Sequence, residues 1–145
     1  MADFAGFPIQ SSTFLTGLAK NNSKAWFDAH RDDYEEYILA PAIGFVEAIG
    51  GKLESVSPGI QVEPRVNGSI RRLNRDVRFA ADKSPYKNYL DVHFQQGDQK
   101  GCAASSFVMR MYGDKLVLGA GVHNFAKENL GPFRDAVVDQ KKGKA

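Results

Sequence analysis

The chemistry of this chain is concentrated between Ser69 and Lys87, where Arg71, Arg72, Arg75, Arg78, Lys83 and Lys87 are interrupted by Asp76, Asp82, Phe79 and Tyr86. From Arg65 to Lys87 there are 7 Lys/Arg against 2 Asp, a local balance of +5, while the rest of the chain carries 12 Lys/Arg and 15 Asp/Glu. An arginine fork matches a carboxylate or phosphate with two parallel hydrogen bonds. Arg72, Arg75, Arg78 and Lys83, brought together, therefore suit a small phosphate, sulfate or carboxylate ligand, with Tyr86 and Lys87 in support. The same residues allow a second outcome, an internal network in which Asp76 and Asp82 neutralise two cations and water takes the rest. On an extended strand Arg72, Asn74 and Asp76 share a face, so Arg72 and Asp76 are placed to pair. Asp82 to Lys87 reads as a turn, since Asp82 can accept backbone N–H bonds, Pro85 fixes its own φ and Ser84 is held extended before it.

Other chemistries find less support. His30, His93 and His123 lie far apart with no second ligand at helical spacing, so no metal site is expected. Cys102 has neither a base nor an electropositive setting beside it in sequence. There is no nucleophile elbow, phosphate-binding glycine loop or dinucleotide fingerprint, and no cofactor is expected. His93 alternates with Val92 and Phe94 and falls on a polar strand face shared with Arg110 and Tyr112. If that face floors a concavity, His93, Arg110 and the basic strand converge; otherwise it is the solvent side of a sheet. Single-stranded nucleic acid is an alternative partner, because Phe79, Tyr86 and Tyr89 are interleaved with the cations. A sequence pI of about 8.7 and the embedded aspartates weigh against it. No residue is placed as an acid or base, so no reaction is assigned.

The elements that must position these residues are legible in the spacing of apolar side chains. Ser12 is placed to cap a short helix with Phe14, Leu15 and Leu18 on one face, ended by the left-handed geometry that Asn21-Asn22 offers. A second helix starts near Ser23, carries Trp26, Phe27, His30, Tyr34, Tyr37 and Ile38 on its apolar face, and is broken by Pro41. Ala42, Phe45, Val46, Ile49 and Leu53 predict a third, and these faces are expected to bury Trp26, Phe27, Tyr34, Phe45, Val46 and Ile49 together. The period then changes to two. Val62 and Ile70 flank a hairpin turn at Asn67-Gly68. Leu90, Val92 and Phe94, then Phe107, Met109 and Met111, then Leu116, Leu118 and Ala120 predict strands with one face on a core. Leu130, Phe133 and Val137, with Pro132 in the first turn, predict a closing helix. The expected fold is α+β, with N-terminal helices on one face of an antiparallel sheet and a C-terminal helix.

Two blocks resemble a known family. The first runs through Phe14-Leu15, Leu18, Asn21-Asn22, Trp26-Phe27, His30-Arg31, Tyr34 and Pro41. The second, more specific block is Arg72-Leu73-Asn74-Arg75-Asp76-Val77-Arg78-Phe79 followed by Asp82-Lys83-Ser84-Pro85-Tyr86-Lys87. Together they are similar to the uncharacterised microbial family of domain of unknown function 2461, over roughly Phe14 to Val138. The resemblance implies a fold and a choice of residues, not a chemistry, because the family has none assigned. Its members are typically longer, with a further C-terminal segment, whereas this chain ends at Ala145.

At 145 residues the chain suits one domain, 1–145, with flexible ends expected at 1–10 and 141–145. Its 43% hydrophobic and 25% charged residues are those of an ordinary globular protein. A single cysteine and the absence of a signal-like start or a membrane-length apolar run point to the cytoplasm and away from a membrane.

Overall fold

The computed structural model describes residues 4–97 and 105–143. Helix α1, Ile9–Lys20, starts after Pro8, so Ser12 lies inside it and not at its cap, its hydroxyl donating to the Gly113 carbonyl; the helix buries Ser11, Phe14, Leu15 and Leu18 at helical spacing. It ends at Asn21, whose backbone N–H and side-chain Nδ2 both donate to the Gly17 carbonyl at 3.0 Å. With φ at −129°, Asn21 closes the helix without the left-handed turn expected there. Ser23 caps α2, Lys24–Ala29, by accepting the Trp26 N–H at 3.2 Å.

The chain then runs without leaving a helical path through α3, Arg31–Tyr34, a π-turn at Glu35–Leu39 and α4, Ala40–Val56. Pro41 stands in the first turn of α4, as a proline that opens a helix would, but the break expected before it does not occur. Proline has no N–H for the carbonyl four residues back, which here is Tyr37. The helix widens to a π-turn just before it, and the Tyr37 carbonyl accepts instead from the Ser11 hydroxyl at 2.5 Å. Ser11, 1% exposed, thus ties α1 to the proline-bearing helix.

Three strands, β1 Leu90–Gln95, β2 Ser106–Met111 and β3 Leu116–Gly121, form an antiparallel sheet in sequence order. Asp91 faces Arg110 and His93 faces Val108 in the β1–β2 register. On the other side of β1, Ile70 pairs with Val92, the Arg71 N–H donates to the Asp91 carbonyl at 2.8 Å, and Asn74 pairs with Tyr86. The stretches 70–75 and 85–92 therefore run antiparallel as one irregular hairpin, with the basic motif at its tip. The Asn67-Gly68 turn forms, with Asn67 at φ 64°, but isolated bridges replace the two strands expected to flank it. Gly68 is required there, since a Cβ would lie 2.7 Å from Glu63 Cβ and 2.9 Å from the Glu63 carbonyl oxygen.

The core joins Phe14, Leu15, Leu18, Phe27, Ile38, Ala42 and Val46 to Leu90, Val92, Phe94 and Met109, so the helices cover one face of the sheet. Of the residues expected to be buried together, Phe27 and Val46 are fully buried, and Trp26, Tyr34, Phe45 and Ile49 pack at the core margin. That packing stops at β2. Every residue of β3 is exposed, Leu118 by 71%, which corrects the expectation that Leu116, Leu118 and Ala120 face the core. Helix α5, Lys127–Val138, forms where expected but buries none of its residues and holds Pro132 in its interior, not in its first turn. Near the N-terminus Phe4 and Phe7, in the stretch expected to be flexible, pack around Phe45 with ring centroids 5.4 and 6.0 Å away. No helix among the described residues is long and apolar enough to cross a membrane.

Candidate functional site: a cation-rich hairpin and sheet face

The hairpin tip is held by its own charges. Arg78 forks onto Asp76, with Nε 2.9 Å from Oδ1 and a guanidinium nitrogen 2.6 Å from Oδ2. Arg75 pairs with Asp82 at 2.5 Å. The Ser84 hydroxyl and N–H also donate to Asp82, and with Arg75 they hold its carboxyl far below the usual carboxylate range. Asp76 is lowered as well, by Arg78 first, while Arg72 acts on it only as a nearby charge. The expected Arg72–Asp76 pair is thus replaced by Arg78–Asp76, because the chain turns after Asp76 and brings Arg78 back over it. Lys83 donates to the Val77 carbonyl at 2.9 Å. Phe79 projects from this tip, 96% exposed.

Tyr86 sits at the base of the hairpin, where it is 7% exposed and its ring stacks on Phe27 with centroids 4.4 Å apart. Asn22 clasps the Tyr86 backbone from both sides: Oδ1 accepts its N–H at 3.0 Å and Nδ2 donates to its carbonyl at 2.8 Å. The α1–α2 junction thereby fixes where the basic hairpin leaves the core.

A second group of charges lies on the sheet face opposite the helices. Asp91, 5% exposed, receives the Arg110 fork, Nε to Oδ1 at 2.6 Å and a second nitrogen to Oδ2 at 2.8 Å. Burial alone would raise the Asp91 carboxyl, but the His93 ring and the Arg110 fork beside it outweigh that and hold it low. His93 Nε2 stands 3.8 Å from Asp91 Oδ2, buried and without a hydrogen-bond partner among the described residues. The Arg110 guanidinium also lies 4.1 Å from the centre of the Tyr89 ring, and Tyr89 meets Tyr112 with centroids 5.3 Å apart. Lys87 donates to the Arg72 carbonyl at 3.1 Å. Burial pushes its ammonium below the usual lysine range; Asp91 opposes this, and the nearby Arg110, Arg71 and Arg72 add to it. Neither the Arg71 nor the Arg72 side chain makes a hydrogen bond or ion pair among the described residues.

The structure therefore divides the residues expected from sequence. Arg75, Asp76, Arg78, Asp82 and Lys83 bind one another or the backbone at the tip, Tyr86 is packed inside, and Arg72 and Lys87 belong with Arg71, Arg110 and Asp91 on the sheet face. Asp91 was not singled out from sequence, Arg71 was counted only among the cations of the segment, and Asn22 was read only as a helix end. Alternation puts Asp91 on the polar strand face with His93, but only the β1–β2 register sets it opposite Arg110. Elsewhere, His30 holds the Trp26 carbonyl at 2.8 Å through Nδ1 and stacks on the Trp26 ring. No group of three His, Cys, Asp or Glu among the described residues is arranged to hold a metal ion. Cys102 lies outside the described residues.

Fold and site define an α+β domain whose cation-rich hairpin meets, at its base, a sheet face where Arg110 pairs with the buried Asp91. A model of the conserved hypothetical protein family DUF2461 matches residues 10–144, and the chain belongs to that family. No curated protein and no solved structure matches it.

Proposed function

We propose that the protein binds a small multivalent anion, bearing phosphate or carboxylate groups, through its Arg/Lys-rich hairpin. The observation that carries this reading is that Arg110, Arg71 and Arg72 all lie near Lys87, while the nearby carboxylate, Asp91, is already held by Arg110 in a fork. Burial first, and the nearby Arg110, Arg71 and Arg72 after it, disfavour the charged form of Lys87, and an anion beside it favours that form. In this reading the ion pairs of the tip are scaffold: they set the curvature of the hairpin and leave Arg72 and Lys87 to the ligand. A single cysteine fits a reducing compartment, and we place the protein in the cytoplasm.

The competing reading is a purely structural motif, favoured by the Arg75–Asp82 and Arg78–Asp76 pairs. A thermal-shift series with phosphate, pyrophosphate, sulfate and dicarboxylates against chloride of equal ionic strength separates the two. At a hundredfold excess over Kd, binding to the native state alone contributes about 2.7 kcal/mol, a rise of roughly 5–10 °C for a domain of this size. That rise is expected for pyrophosphate, and Lys87→Ala should remove it. If no anion shifts the wild type, the motif is structural and the binding reading falls.

A further inference from the structure

Resting on the anion-binding reading, we propose that the ligand is a nucleotide, whose phosphate lies among Arg71, Arg72 and Lys87 and whose base lies against the tyrosines beside them. A site for inorganic anions needs cations only, yet this one continues without a break into an aromatic ledge. Arg110 belongs to both halves: its fork is fixed on Asp91 while its plane lies 4.1 Å from the Tyr89 ring centre. Tyr112 extends the ledge at 5.3 Å from Tyr89, its side chain also engages Arg110, and the exposed Lys115 lies over its ring with Nζ 4.9 Å from the centre. Both tyrosines are half-buried, anchored at the sheet and reaching solvent. Rings tilted at 54° to one another and bordered by cations offer a face on which a base can stack, and a flexible lysine over Tyr112 is readily displaced. The buried Tyr86 takes no part, so the base-binding rings lie on the sheet and not on the turn.

The test measures affinities of inorganic phosphate, ribose 5-phosphate, AMP, UMP and a six-nucleotide single strand for the wild type, Tyr112→Leu and Tyr112→Phe. AMP should bind about tenfold or more tighter than ribose 5-phosphate, by the contribution of one stacked base. Tyr112→Leu should erase that preference while leaving ribose 5-phosphate affinity unchanged, and Tyr112→Phe, which keeps the ring, should retain it. AMP and ribose 5-phosphate binding equally to the wild type would overturn the nucleotide assignment and leave the anion reading standing. Failure of every probe, phosphate included, would remove both. The oligonucleotide arm identifies the source. Affinity for the strand above that for AMP, falling with salt at a slope of about −0.7 per phosphate neutralised, marks a segment of single strand; affinity no higher than for AMP marks the free nucleotide.

Discussion

Asp91 is the carboxylate on which the proposed site turns, and its two roles pull in opposite directions. It anchors Arg110 in a two-pronged contact from a nearly buried position, yet it also cancels part of the positive field that an anion would feel. Asp91→Asn should therefore destabilise the fold by roughly 2–4 kcal/mol, somewhat less than for a fully buried pair because Arg110 reaches solvent. The same variant should bind pyrophosphate at least as tightly as the wild type. Urea denaturation and calorimetric titration of one preparation check both, and a loss of stability accompanied by a loss of binding would show that Asp91 shapes the site and does not oppose it. Sequence alone shows Asp91 as the polar partner in an alternating strand, indistinguishable from a solvated residue. Its fork with Arg110 comes from the β1–β2 register, a contact that only the pairing of strands creates.

At the level of elements, the basic hairpin is positioned from outside itself. Asn22 replaces a missing strand neighbour for Tyr86, accepting and donating as a backbone would, and Phe27 closes over the Tyr86 ring. Asn22→Ala removes both bonds and should cost about 1–3 kcal/mol in chemical denaturation. Asn22→Asp should cost no less, since it sets a carboxylate against the Tyr86 carbonyl. A neutral Asn22→Ala would mean that the stacked rings alone hold the hairpin. The Asn21-Asn22 pair was visible in the sequence as a helix end, and Asn21 does end α1, but the reach of Asn22 across 64 residues has no local signature. The helices α1 and α4 and the strands β1 and β2 followed directly from their periods of 3.6 and two. The continuous passage through Pro41 did not, because it depends on a hydroxyl from α1 taking the carbonyl that proline leaves open.

The whole molecule carries a formal net charge of only +2, so the excess of cations on the hairpin and sheet face reflects how the fold sorts charge, not how much of it there is. The helices claim one face of β1 and β2, and the opposite face is left to Asp91, His93 and Arg110. The structure divides the basic segment in two: the aspartates of the R-D-x-R-F-x-x-D-K run neutralise the tip, and Arg72 and Lys87, paired with no carboxylate among the described residues, lie at the base of the hairpin. β3 was legible as a strand, but its two-sided exposure was not, since alternation reports the faces of a strand and not whether anything covers them. Lys83 and Lys87 separate the halves of the motif most directly, for both belong to it and carry the same charge. Lys83 serves the Val77 carbonyl at the tip and Lys87 stands among Arg71, Arg72 and Arg110. Calorimetric titration with pyrophosphate should show Lys87→Gln weakened by about tenfold or more, equivalent to about 1.4 kcal/mol, and Lys83→Gln within about twofold of the wild type. Equal affinity for the wild type and Lys87→Gln, or a greater loss in Lys83→Gln, would contradict the account.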